Sequence, residues 1–208
     1  MTNRPDFNRH YNGLELVIRK RSSKGWMMTG SYSYNTTIEN YDSPAAYEDP
    51  TNIAQRNGFQ YAPTNGLGGG GGSNLAGIAI NATWIAKLNG SYRLPLDINV
   101  AATADLRQGY PFLQAINIAS RPNRAAAIAV LLDPVSEVRF PNFATMDFRV
   151  DRAFSVGGAT LKASFDMFNI FNANTVMGQR ANQNAANANQ VFGILAPRIA
   201  RVGVMVTF

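Results

Sequence analysis

From Ile80 to Leu94 the chain alternates without interruption. Ile80, Ala82, Trp84, Ala86, Leu88, Gly90, Tyr92 and Leu94 occupy one parity, and Asn81, Thr83, Ile85, Lys87, Asn89, Ser91 and Arg93 occupy the other. Successive side chains of a β-strand point to opposite faces, so a period of two over this length specifies a strand with one apolar and one hydrated face, not a helix. Six further segments carry the same pattern: Gly13–Arg21, Trp26–Asn35, Asp97–Tyr110, Thr145–Phe154, Thr160–Phe171 and the terminal Arg198–Phe208. In the last of these, Ala200, Val202, Val204, Val206 and Phe208 form one stripe, about the length a tilted strand needs to cross a bilayer.

The connections alternate as regularly as the strands. Ser22–Gly25, Leu94–Leu96 and Ser155–Gly158 are tight turns, whereas Thr36–Ala79, Pro111–Ala144 and Asn172–Pro197 are long. Loops of that length are uncommon in compact soluble domains. Short turns on one rim and long loops on the other are the pattern of an outer-membrane β-barrel, with the short turns periplasmic. The aromatic residues give a second line. Trp26 and Tyr34 lie eight residues apart on the apolar parity, as do Trp84 and Tyr92. Amphipathic rings collect at the two membrane interfaces, so Tyr34, Trp84 and Tyr110 are expected near the outer rim, and Trp26, Tyr92, Phe154 and Phe208 near the inner one. Charged residues in mid-strand are expected on the opposite face, since a Lys or Arg facing lipid at mid-bilayer costs roughly 2–4 kcal/mol.

Composition narrows the alternatives. Only 15% of the 208 residues are charged, against roughly 25% in soluble domains. The longest apolar run, Ala125–Leu132, is far too short for a membrane helix. A net charge of +6 raises the question of nucleic acid. The basic residues are dispersed, however, and mixed with acids, as in Asp105 with Arg107 and in Asp147, Arg149 and Asp151, so no phosphate track is expected. The absence of cysteine excludes disulfides and thiolate sites.

Seven strands in series leave two open edges, and lipid offers no partners for their backbone groups. About ten unpaired groups per edge, at several kcal/mol each, exceed the net stability of a domain. Bacterial single-chain barrels also have even strand numbers. The opening MTNRPDFNRH lacks the apolar core of a signal peptide. The expectation is therefore that residues 1–208 are one segment, the C-terminal part of a larger barrel whose other strands lie upstream.

Several short motifs then fall into order: Tyr11-Asn12-Gly13-Leu14-Glu15-Leu16, Lys20-Arg21, Gly25-Trp26, Tyr92-Arg93-Leu94-Pro95, Gly109-Tyr110-Pro111-Phe112, Met146-Asp147-Phe148-Arg149-Val150, Asp166-Met167-Phe168-Asn169-Ile170-Phe171-Asn172, Pro197-Arg198-Ile199 and the terminal Phe208. Together they resemble the C-terminal barrel of TonB-dependent outer-membrane receptors, the Oar-like subgroup most closely. The resemblance implies a 22-stranded antiparallel barrel in the Gram-negative outer membrane, closed by an N-terminal plug. It further implies import of an extracellular ligand, with TonB engaged only through the upstream part. Val202, Val204, Val206 and Phe208 match the C-terminal signal read by the barrel-assembly machinery.

No catalytic, cofactor or metal site emerges. Gly66-Leu67-Gly68-Gly69-Gly70-Gly71 contains GxGxxG but lacks the strand-turn-helix context that binds phosphate, and reads as a loop tip. His10 has no HExxH or GxSxG companion. The Asp147, Arg149, Asp151 ladder reads as a salt-bridged wall. Asn182–Gln190 reads as a mobile polar loop, and Arg121–Leu132 as a short helix with Pro122 in its first turn. The leading functional expectation is the barrel portion of a transporter, its ligand unidentified. The alternatives are a small self-contained outer-membrane barrel of structural or adhesive role, needing an eighth strand within Asn57–Ala79 or oligomeric closure, and a barrel enzyme such as a lipase, built on His10.

Overall fold

Each alternating segment becomes a strand that pairs with the next. The computed structural model describes residues 7–41, 59–61, 82–118, 128–133 and 137–208. In chain order they form β1 (Phe7–Ser23), β2 (Trp26–Tyr41), β3 (Phe59–Tyr61), β4 (Trp84–Leu94), β5 (Ile98–Arg107), β6 (Ala115–Ile118), β7 (Ile128–Leu131), β8 (Phe143–Val156), β9 (Ala159–Phe168), β10 (Val176–Gln179), β11 (Val191–Ile194) and β12 (Ile199–Thr207). The main sheet runs β1-β2-β4-β5-β8-β9-β12, every neighbour antiparallel, and it is open, not closed into a barrel. The pairs β6-β7 and β10-β11 are separate two-stranded hairpins.

Boundaries differ from the sequence reading where pairing or backbone geometry decides. β1 and β2 extend past Gly13 and Asn35 because they pair continuously up to Phe7↔Tyr41. β4 begins only at Trp84; Ile80 and Asn81 lie outside the described residues, and Thr83 is held by Asn35 N–H on its carbonyl (2.8 Å) and Gln108 Oε1 on its own N–H (2.9 Å). β9 stops at Phe168 because Asn169 turns to φ 49°. Among the described residues the three-residue β3 pairs with Ile38–Asn40, above the Tyr34↔Trp84 row. The rest of Asn57–Ala79, where a self-contained barrel needs its eighth strand, lies outside the described residues.

The short turns are built for strand twist. Lys24 (φ 51°) and Gly25 (φ 79°) close β1-β2, and Gly157 (φ 56°) and Gly158 (φ 85°) close β8-β9. Two consecutive positive φ values match the type I′ hairpin, whose twist suits the flanking strands. A 3-10 turn, Pro95–Asp97, closes β4-β5. These three turns share one rim, and the connections β2-β4, β5-β8 and β9-β12 share the other.

Two of the long connections are folded. In the first, Gly109 N–H donates to Asn142 Oδ1 (3.1 Å), Arg139 donates to the Gly109 carbonyl (2.8 Å), and Phe112 packs on Phe140 with ring centroids 5.1 Å apart. Pro111, Phe112, Leu113, Ala115 and Phe140 are buried there, so this loop layer holds most of the buried apolar side chains among the described residues. The expected helix over Arg121–Leu132 is corrected in its final part: Ile128–Leu131 is strand β7, paired with Ala115–Ile118, and residues 119–127 lie outside the described residues. Asn182–Gln190, expected to be mobile, is instead a hydrogen-bonded turn. Gln183 and Asn189 exchange two amide hydrogen bonds of 2.9 Å, and Ala115 bridges the two loops through Ala181 (3.0 Å) and Gln183 (2.8 Å). The glycine-rich run Gly66–Gly71 lies outside the described residues.

The sheet is staggered. Follow the register row Trp26↔Tyr92↔Val100↔Val150↔Phe165↔Val202 across the strands. The short-turn rim lies at Gly25 beside β2, just past Leu94↔Ile98 between β4 and β5, and past Val156↔Ala159 between β8 and β9. The long-loop rim recedes in the same sense, from Phe7↔Tyr41 to Arg107↔Phe143 to Phe168↔Ile199. Both rims step along the strands together, so the band is sheared rather than rectangular.

Gly109 tests the loop layer. A Cβ added there lies 1.7 Å from the Phe140 carbonyl oxygen. Gly109→Ala is expected to cost about 3 kcal/mol or more in unfolding free energy. It should also abolish slow amide exchange at Phe112 and Phe140 while β4 and β5 keep theirs.

Candidate functional site: two opposed faces of one sheet

Cross-strand partners lie on the same face of a sheet, and the register therefore sorts seven strands at once. Leu14, Leu16 and Ile18 pair with Tyr34, Tyr32 and Gly30; Leu88, Ala104 and Met146 share a row, as do Phe165 and Val202. Every apolar stripe expected from sequence falls on this one face. Seven strands about 4.8 Å apart and some ten residues long give an apolar area on the order of 1,000 Å². That exceeds the few hundred Å² a soluble monomer normally exposes. No described element covers it, and its side chains are solvent-exposed: Leu16 53%, Leu88 46%, Val202 78%. No helix among the described residues is long and apolar enough to cross a membrane.

The aromatic residues on this face take definite register positions. Tyr34 is paired with Trp84, and Trp26 with Tyr92. Phe154 lies four residues beyond Val150 toward the short-turn rim, and Phe208 lies six beyond Val202. Tyr110 is different. It lies past the end of β5 with its ring 3.9 Å from the Arg107 guanidinium, and strand register does not put it on the apolar face.

Two cations near the short-turn rim have the parity of the apolar face: Lys20 shares the face of Ile18, and Arg152 shares that of Phe154. Lys20 lies beside the register shift that precedes the last β1-β2 pair, Ser23↔Trp26. Its ammonium donates to Ser23 Oγ (2.5 Å) and to the carbonyls of Ser23 (3.3 Å) and Arg21 (3.2 Å), and it sits 4.2 Å over the Trp26 ring. Arg152 lies over Phe154 at 4.7 Å, and its buried Nε has no hydrogen-bond partner among the described residues. The sequence signal was available in both cases, since each residue has the apolar parity of its strand.

The opposite face carries the charge. Asp151 accepts from Lys162 (3.1 Å), Arg149 (3.4 Å) and Asn99 (3.2 Å), while Asp166 accepts from Arg149 (3.2 Å) and from Arg201 (3.0 Å). The resulting chain Lys162-Asp151-Arg149-Asp166-Arg201 links β8, β9 and β12, with Asn99 adding β5. Both carboxylates are buried. A salt-bridged wall is therefore the arrangement observed for Arg149 and Asp151. Asp147 does not join it; its Oδ1 accepts the Asn169 N–H (2.9 Å). Asp105 faces Lys87 at 4.0 Å, and Arg107 stacks on Tyr110 and Phe143 instead of pairing with Asp105.

Asn169 stands in the motif Asp166-Met167-Phe168-Asn169-Ile170-Phe171-Asn172, whose sequence alone assigns it no role. The side chain is buried and clamps the rim: Nδ2 donates to the carbonyls of Ala173 (2.9 Å) and Ala196 (2.7 Å), and Oδ1 accepts the Ala173 N–H (2.9 Å). Asn172 Oδ1 accepts from Arg198 N–H (2.9 Å) at its other end. These amides anchor both ends of the β9-β12 connection, which explains two asparagines at positive φ (49° and 52°), where asparagine is tolerated. The side chain of His10 is outside the described residues.

The sequence matches no known protein-family model and no curated protein.

The charge chain gives a graded expectation. Asp166→Ala strips two guanidinium groups of a buried partner and is expected to cost about 2–3 kcal/mol, below the largest buried-pair values because Arg149 and Arg201 keep water contact. Asp105→Ala removes an exposed pair and should cost less than about 0.5 kcal/mol. Urea unfolding midpoints of the two variants, repeated at 1 M NaCl, should show the first effect retained and the second absent.

Proposed function

We infer that the sheet is a section of an outer-membrane β-barrel wall, its apolar face toward lipid and its charged face toward the barrel interior. The observation that carries this reading is the agreement between the register and the aromatic positions. From β2 to β12 are five strand steps, and over them the short-rim aromatic moves from the Trp26 row to Phe208, six residues beyond Val202. At about 3.3 Å per residue and 4.8 Å per strand that slope corresponds to a tilt of about 40°. Outer-membrane barrel strands tilt by roughly 35–45°. Phe154, four residues off the row after three steps, lies on the same line. Trp26, Lys20, Phe154 and Phe208 thus come to one height in a tilted wall, and Tyr34 and Trp84 to another. The strand lengths agree, since β4, β5, β9 and β12 have 11, 10, 10 and 9 residues, where a spanning strand needs about 9–11.

A closed wall needs more strands than the seven of the main sheet. β1 and β12 both run toward the short-turn rim, so direct pairing between them is parallel. An all-antiparallel closure needs an odd number of further strands, which makes the total even, as in bacterial single-chain barrels. This supports the reading suggested by the sequence motifs: the C-terminal barrel portion of a TonB-dependent receptor of the Oar-like subgroup, taking up an extracellular ligand in the Gram-negative outer membrane. In that setting the folded loop layer at the long rim faces outward, β12 is the strand for the barrel-assembly machinery to engage, and TonB acts through other parts of the receptor.

Spin labels test the orientation. Nitroxides placed singly at residues 202–207 of the membrane-inserted protein should alternate, with 202, 204 and 206 accessible to oxygen dissolved in lipid, and 203, 205 and 207 to a water-soluble nickel chelate. Uniform aqueous access along β12 would falsify the lipid-facing assignment. Consistently, Val204→Arg should lower stability in the bilayer by about 2–4 kcal/mol, and Met205→Arg by well under half of that.

A further inference from the structure

We propose that the apolar face holds a binding site for an anionic phospholipid, with one acyl chain in a trough at the centre of the sheet and the phosphate at Arg152. The proposal rests on the membrane orientation above and adds a specific occupant. The trough has a volume of about 430 Å³. It exists because the register sets small residues between large ones. Gly90 and Ala102 share a row between Met28 and Phe148, and Tyr92 and Trp26 form the end nearer the short-turn rim. The apolar-face residues lining the trough carry no charge, so the cavity is suited to hydrocarbon and not to a polar ligand.

Charge complementarity supplies the headgroup. Val150 pairs with Val100 of the trough lining, and Arg152 is the next residue on the same face toward the short-turn rim. Its cross-strand partners there are Ile98 and Ala163, neither of which can accept a hydrogen bond through its side chain. On the opposite face Arg149 and Arg201 have carboxylates, and on this face Lys20 is held by Ser23 and backbone carbonyls. Among the described residues, the buried Nε of Arg152 has no such partner. A guanidinium set just inside the interfacial aromatic Phe154 can extend toward the headgroup region along its own stem. There a phosphate oxygen meets the guanidinium through a charge-assisted contact.

Photo-crosslinking distinguishes this site from general lipid contact. The protein, produced from its complete reading frame, is reconstituted in phosphatidylcholine vesicles with trace phosphatidylglycerol or phosphatidylcholine bearing a diazirine on the acyl chain, and the adducts are mapped by peptide mass spectrometry. Adducts on Leu88–Tyr92 and Met146–Phe148 should favour phosphatidylglycerol about fivefold, with equal labelling by the two lipids at Val204 and Val206 on the same face. Arg152→Gln should bring the trough ratio to about one, and Arg152→Lys should retain it. If Arg152→Gln does not assemble, Ala102→Phe serves instead, filling the trough and removing its adducts while those at Val204 persist. A trough without headgroup preference, a preference unchanged in Arg152→Gln, or trough adducts unchanged in Ala102→Phe overturns the lipid site and leaves the membrane orientation standing. A complete absence of lipid adducts on the apolar face overturns the orientation and the site with it.

Discussion

Strand register is the constraint on which everything else depends. In a ladder with a side-chain period of two, a slip of one residue moves a whole strand's apolar set to the other face. Here six consecutive pairings keep seven stripes in phase, from Leu14 on β1 to Val206 on β12. The type I′ turns fix part of that phase locally: Gly157-Gly158 joins β8 to β9 with no spare residue, and Lys24-Gly25 joins β1 to β2 with one residue absorbed by the register shift between Lys20 and Ser23. The β4-β5 turn does the same through Pro95–Asp97, at the expense of left-handed backbone at Leu96 and Asp97.

The long connections cannot set register by brevity, and side-chain chemistry takes over. At β5-β8 the close approach of Gly109 to Phe140 and the Phe112-Phe140 contact bring the two strands back together. At β9-β12 the amides of Asn169 and Asn172 hold both ends of the connection. The ionic chain through Asp151 and Asp166 then locks β8, β9 and β12 at mid-strand on the charged face. Because Ala115 bonds Ala181 and Gln183, the β5-β8 and β9-β12 connections are joined rather than independent.

The strands were legible because one rule, alternation, sufficed to find them, and their order followed from turn lengths. Charge placement was mostly legible by the same parity. Lys20 and Arg152 have the apolar parity too, but both lie toward the short rim, where a long side chain reaches polar surroundings. Loop structure was not legible. Asn182–Gln190 has a composition that suggests mobility, yet its order comes from pairings such as Gln183 with Asn189 and from contact with Ala115 in another loop, which no local pattern encodes. Ile128–Leu131 likewise becomes a strand because Ala115–Ile118 lies beside it. Asn169 lay within a motif whose purpose was invisible until the carbonyls of Ala173 and Ala196 stood on either side of it.

An open sheet with β1 and β12 at its edges leaves two rows of backbone groups to be satisfied, and in a bilayer neither water nor lipid can do so. Continuation of the wall on both sides is thus the claim that joins sheet, tilt and function. Amide hydrogen exchange of the protein, produced from its complete reading frame and inserted in lipid bilayers, measures it directly at the outward-pointing N–H groups of β1 and β12. If the wall is continuous, those amides exchange as slowly as those of β5 in the middle of the sheet. Exchange within seconds along either edge, with β5 still protected, would contradict a closed barrel.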